Sequence, residues 1–439
     1  MNIKTHIEKL NFFLFLLLLI SLPFPALFAR QAYIVWFLFW LLECRWLHKP
    51  ALVDYIQRQH TKRLLIPIAG TMALLFLTVL SILWAQDKTE TLHSFYRLCS
   101  FLPLVCVSLW GVNKYYQPAV IMRTIVLSSV ASIGVYLFVY FWLRNPQHTW
   151  NAFCQTPINH IDWLSLNNLT LCIKHRLYYT MWLCISIPCL LWLYPDAKQR
   201  YGKWEARCLT VLLTAILLIG IYWTGSRQGL INACALFAVM AILHTPTQWG
   251  KRHIPYAKYI TSFAMVLCVG VGILCLFTFH PRMKQYSIKQ WFVVEETRKD
   301  SPSIEPRIAI WFTFFEHSKD IPICGVGVGN ASHYMTEKYA EKGWERYENR
   351  SFSPHNQYLT VWLELGIIIA LCFTIFCVAT PLCYTGEARH WAIYATIIAM
   401  CSMCTENILG KVEGIHFIVI TLLIAYLLQS KEPAITARQ

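Results

Sequence analysis

The chain has 439 residues, of which 56% are hydrophobic and only 14% charged, with a mean hydropathy of +0.45. Soluble domains carry about 25% charged residues, so this composition excludes a cytosolic enzyme, a disordered chain and a secreted disulfide scaffold. The net charge of +15 then asks which side of a membrane the Lys and Arg occupy, and no nucleic-acid partner is expected.

A bilayer core about 30 Å thick needs about 20 helical residues. In chain order the candidate spans are 10–28, 32–47, 64–84, 98–112, 118–143, 177–194, 208–223, 228–243, 258–279, 357–383, 390–406 and 414–429. Each is apolar all round rather than along one stripe, which predicts an all-α polytopic membrane protein with about twelve transmembrane helices. The first follows Lys4 and Lys9 like a signal peptide. It runs into Pro23 and Pro25 with no clear cleavage site, so it is read as a retained helix.

Loop charge predicts sidedness. Arg45, Lys49, Arg58, Lys62 and Arg63 fall in one loop, and Lys198, Arg200, Lys203 and Arg207 in another on the same side. Both termini are therefore expected inside, with the long loop 280–356 outside. Three regions follow: helices 1–9 with short loops over 1–279, a large outer loop over 280–356 with helical character at 305–318 and 330–347, and three helices with a cytoplasmic tail over 357–439. A second outer loop, 144–176, is rich in Trp and Asn and holds Cys154 and Cys172, which an oxidising compartment would allow to pair.

Most of the 17 cysteines sit inside spans, among them Cys184, Cys189, Cys268, Cys275, Cys372 and Cys377, and act there as small hydrophobes. Cys401 and Cys404 form a CxxC inside a span without a second pair. The 15 histidines show no HExxH, and there is no Walker loop, GxSxG or DxD-type acidic pair in a loop. Neither metal nor cofactor is expected. With only 23 acidic residues, the composition points to anions handled by arginine.

Three places concentrate chemistry. Tyr222–Gly229 joins two spans by a very short turn, which puts the five-donor guanidinium of Arg227 at the outer surface. Ser301–Trp311 starts a helix at Pro306, with Arg307 in its first turn and Trp311 one turn on. Pro354–Leu359 carries His355 where the long loop re-enters the membrane, with Asn356 able to cap the next helix. Each has a plain structural reading too: Arg227 snorkelling to lipid phosphate, Arg307 solvated or paired with Glu305, His355 anchoring an interface. Gly325, Gly327 and Gly329 lack the βαβ context of a dinucleotide site.

In this order, with Glu364-Leu365-Gly366 following, the segments 220–231 and 301–366 resemble the O-antigen ligase family. That superfamily also holds O-antigen polymerases and protein O-oligosaccharyltransferases. The resemblance implies a GT-C-like, metal-free glycosyltransferase on the periplasmic face. Its donor is an undecaprenyl-diphosphate-linked glycan and its acceptor the lipid A–core. It also implies that Arg227 and Arg307 are the essential arginines and His355 the essential histidine. Two guanidinium forks suit a diphosphate leaving group, and an imidazole suits proton removal from an acceptor hydroxyl, with inversion at the anomeric carbon. Lys174 and Arg176 either help to hold phosphates or are positives that the topology tolerates. A polymerase or protein-directed transferase would share the three residues, and the short tail after the last span favours the ligase. A transporter for a lipid-linked anion would put its arginines at the midplane.

Overall fold

A computed structural model describes residues 3–47, 59–144, 175–224, 226–244 and 306–431. Helices dominate and no strand is present among these residues. Six of them are long and apolar enough to cross a membrane: Ala26–Cys44, Lys88–Trp110, Pro118–Val139, Arg176–Tyr201, Lys203–Trp223 and Val412–Ser430. Leu65–Ser81, Arg227–Leu243 and Ile367–Cys383 are shorter apolar helices. The chain is a multi-pass membrane protein. The segment 258–279, most of loop 144–176 with Cys154 and Cys172, and residues 280–305 lie outside the described residues.

The N-terminal helices are α1 (Ile3–Ser21), α2 (Ala26–Leu47) and α3 (Gln59–Ser81). The helix expected over 10–28 ends at Ser21, because Pro23 and Pro25 start a fresh turn and α2 begins at Ala26. The span expected at 98–112 is the second half of a longer stretch: α4 (Lys88–Leu98), a 3₁₀ turn and α5 (Leu102–Trp110). Asp87 caps α4 by accepting the N–H groups of Thr89 at 2.8 Å and Glu90 at 3.2 Å. Next come α6 (Pro118–Arg144), α7 (Arg176–Tyr201), α8 (Lys203–Trp223) and α9 (Arg227–His244).

The core gathers on two helices. From Leu177 to Leu190 every residue of α7 is buried, and α16 (Val412–Lys431) is buried along most of its length. α7 packs on α6, α8, α9, α15 (Gly386–Met403) and α16. Large apolar side chains such as Phe76, Leu127, Val211 and Ile375 point outward instead, as lipid-facing residues must.

Above one end of this bundle sits a small helical cap: α10 (Pro306–Glu316), α11 (Ala331–Glu341) and α12 (Glu345–Glu348). α10 and α11 fall within the two stretches read as helical. Ile310, Phe314, Tyr334, Met335, Tyr339 and Leu363 form its own buried core. The span expected over 357–383 is broken into α13 (Gln357–Leu365) and α14 (Ile367–Ala379). Gly366 makes the break at φ 87°, and a Cβ there would lie 1.7 Å from the Ile323 carbonyl oxygen. The glycine-rich stretch explains itself here. The N–H groups of Val326 and Gly327 donate to the Leu363 and Glu364 carbonyls at 2.8 and 3.0 Å, satisfying the end of α13. Close backbone approach, not phosphate binding, accounts for Gly325 and Gly327.

Candidate active site

The turn between α15 and α16, residues 404–411, is held from four directions. Asn356 caps α13 through Oδ1, which accepts from Tyr358 and Leu359, while its Nδ2 donates to the Cys404 carbonyl at 3.0 Å. Gln357 Oε1 accepts the Leu409 N–H at 2.8 Å. At the start of α9, Gln228 donates to the Cys401 carbonyl and accepts from the Thr405 hydroxyl, both at 2.7 Å. Arg97 of α4 donates to the Gly410 carbonyl at 3.0 Å. Cys401 and Cys404 serve this turn through their carbonyls, and both thiols are free.

The turn presents Glu406. Its Oε1 lies 3.0 Å from His355 Nδ1 and its Oε2 lies 3.7 Å from an Arg307 guanidinium nitrogen. One carboxylate thus bridges the expected histidine and one expected arginine. Burial opposes ionisation of Glu406, but the hydrogen bond from His355 and the charges of His355, Arg307 and His175 outweigh it and hold the carboxyl below its ordinary range. An ionised Glu406 accepts a hydrogen bond from Nδ1–H of His355, so in the neutral imidazole the lone pair lies on Nε2. His355 sits at φ 46°, a left-handed conformation that costs energy in a non-glycine residue and is characteristic of functional sites. Trp311 donates to the Pro354 carbonyl at 2.9 Å, so α10 is fastened to the same turn that presents His355.

Of the expected residues, His355 and Arg307 therefore meet. Arg227 is half-buried at the start of α9, adjoining Gln228, whose partner Thr405 adjoins Glu406. Arg176 opens α7 beside His175, which is in electrostatic reach of Glu406, Glu413, Lys411 and Arg307. Poor solvation pushes the His175 imidazole down, the two carboxylates pull it up, and the balance is a lowered value. Glu406 was not singled out in the sequence. Its only signal there is an acid placed between two apolar segments next to Asn407.

His355 and Glu406 also line a cavity of about 650 Å³. Its walls add Asp87, Glu90 and Arg97 from α4 and its cap, Arg350, and Glu364 of α13. Leu74 and Leu409 are shared between this cavity and an apolar crevice among α3, α14, α15 and α16. A polar chamber thus adjoins an apolar slot.

Residues 212–374 match the sequence model of a family described as O-antigen ligase. The matched stretch holds Arg227, Arg307 and His355 but ends before Glu406. No curated protein matches the chain.

Proposed function

We propose, on the premise that residues 212–374 mark this chain as an O-antigen ligase family protein, that it is a ligase moving a glycan from undecaprenyl diphosphate to the lipid A–core at the periplasmic face of the inner membrane. The match supports a glycosyltransferase-like membrane enzyme acting on a lipid-linked glycan and a lipid acceptor. One observation supports the catalytic arrangement proposed here: Glu406 joins His355 to Arg307.

In this reading the acceptor hydroxyl attacks the anomeric carbon opposite the diphosphate. The new glycosidic bond forms as the bond to the leaving phosphate oxygen breaks, and configuration inverts. The hydroxyl proton passes to Nε2 of His355, and Glu406 stabilises the imidazolium so formed. Arg307 and Arg227 take up the charge that grows on the diphosphate, without a metal. The polar cavity receives saccharide, and the adjoining apolar crevice suits a polyprenyl chain. A polymerase would share everything but the acceptor.

The test is a lipopolysaccharide gel of a deletion strain, with and without the gene. Loss of the whole ladder with the core intact supports the ligase, whereas a single-repeat band means a polymerase. Unchanged lipopolysaccharide overturns both. Purified protein with both lipids should also keep its activity in excess chelator. Activity that is lost and then restored by one metal would remove the arginines as the main charge stabilisers.

A further inference from the structure

α7 is a helix of 26 residues whose N-cap, His175, makes no side-chain cap. Among the described residues no side chain accepts from its first backbone N–H groups, and this end of the helix, with the positive end of its dipole, lies within electrostatic reach of Glu406. Side chains lean toward a helix N-terminus, so Tyr178 extends its phenol back to this end, with its ring 5.5 Å from that of His175. Tyr178 is 3% exposed and, among the described residues, its hydroxyl has no hydrogen-bond partner. Buried hydroxyls are rarely left so.

The nearby carboxylates do not fill the gap. Tyr178 and His175 lie in electrostatic reach of both Glu406 and Glu413. Glu413 is held by Arg30 at 3.0 Å, and Glu406 by His355 and Arg307. Neither hydrogen-bonds to the end of α7. Arg307 and Lys411 bring positive charge to the same spot, and Arg176 belongs to the same helical turn.

We propose that the first turn of α7, with the Tyr178 hydroxyl as a donor, binds a phosphoryl oxygen of the lipid-linked substrate beside Arg307. This rests on the function proposed above. Tyr178 acts as a substrate-positioning residue, and the helix end adds backbone N–H groups to the arginines.

The experiment measures binding of undecaprenyl diphosphate and of undecaprenol, which lacks phosphate, to the protein in nanodiscs. Wild type should prefer the diphosphate at least tenfold. Tyr178→Phe should weaken diphosphate binding on the order of tenfold, as expected for one hydrogen bond to a charged group, and leave undecaprenol unchanged. Without ligand the variant should be as thermally stable as wild type or more so, since an unpaired buried hydroxyl has been removed. Unchanged diphosphate affinity in the variant overturns the proposal and leaves the proposed function standing. A variant less stable without ligand gives the hydroxyl a packing role and overturns it too. Wild type that does not distinguish the two lipids removes the proposed function, and this site with it.

Discussion

Two of the polar clusters among the described residues are built oppositely. α2 passes both: Arg30 pairs with Glu413 near the site, and Glu43 lies about 20 Å further along at 1.5 Å per residue. Around Glu43 the groups close on one another. Asn113 Nδ2 donates to the carboxylate at 3.0 and 3.2 Å and Asn11 donates to it as well. The Tyr116 hydroxyl donates to Asn11 at 3.0 Å and accepts from Trp36 at 2.9 Å. Glu43 is 1% exposed. The His355 cluster is left open. Its members are 17–37% exposed at the side chain, the second imidazole nitrogen has no hydrogen-bond partner among the described residues, the backbone is strained, and a cavity adjoins it. A polar network closed on itself specifies how helices pack. One with open valences beside a cavity has capacity for chemistry.

Removing the open valence should have the largest effect. His355→Ala should cost on the order of 10²–10⁴-fold in transfer rate, the usual contribution of general base catalysis, while the protein still inserts and binds donor. His355→Gln keeps a hydrogen-bonding group without accepting a proton. Near wild-type turnover of that variant would make the histidine an orienting group only.

Next come the forks. Arg227→Lys and Arg307→Lys keep the charge but lose bidentate geometry. Each should cost about 2–4 kcal/mol of transition-state stabilisation, comparable to one oxyanion donor. Wild-type rates in both, at equal expression, would take the diphosphate away from these positions.

The two glutamates test the comparison directly. Glu406→Gln should slow transfer roughly 10- to 100-fold, matching the loss of one hydrogen bond to a charged partner at about 1.5–3 kcal/mol, with little change in thermal stability. Glu43→Gln should do the reverse. It turns an amide donor toward Asn11 or Asn113 and should lower stability by about 1–3 kcal/mol, with the rate per folded molecule unchanged. If both variants lose rate and stability alike, the distinction between closed and open clusters fails.

The smallest expected effect is a pH slope. Burial pushes the Glu364 carboxyl from 4.5 up to about 7, against the N–H of Gly329, the charge of Arg97 and the N–H of Ala331, which pull it down. Its folded value lies above the unfolded one, so folding favours the protonated form. That contribution is complete below about pH 4.5 and is lost as pH rises through about 7. Glu364→Gln still accepts from Gly329 and cannot ionise. Thermal melts across this window should decline for wild type and flatten for the variant, and parallel curves would remove Glu364 as the titrating group.

Composition and all-round apolar runs of about 20 residues by themselves determined that this chain crosses a membrane as helices, because such a run satisfies its own backbone hydrogen bonds in lipid only as a helix, whereas barrel strands are shorter and alternate. Residue type and local spacing determined the cap at Asn356, the helix start at Pro306 and the choice of His355, Arg227 and Arg307 as candidates, since capping and charge at a membrane surface are local properties. Tertiary structure alone decided the break at Gly366, where an incoming carbonyl leaves no room for a Cβ, and the role of Gly325 and Gly327 in closing the end of α13. It also decided that Glu406, far along the chain from both partners, joins His355 to Arg307. No periodicity encodes that meeting. It depends on how α10, α13 and the α15–α16 turn dock, and docking is fixed by packing and hydrogen bonds between segments distant in sequence.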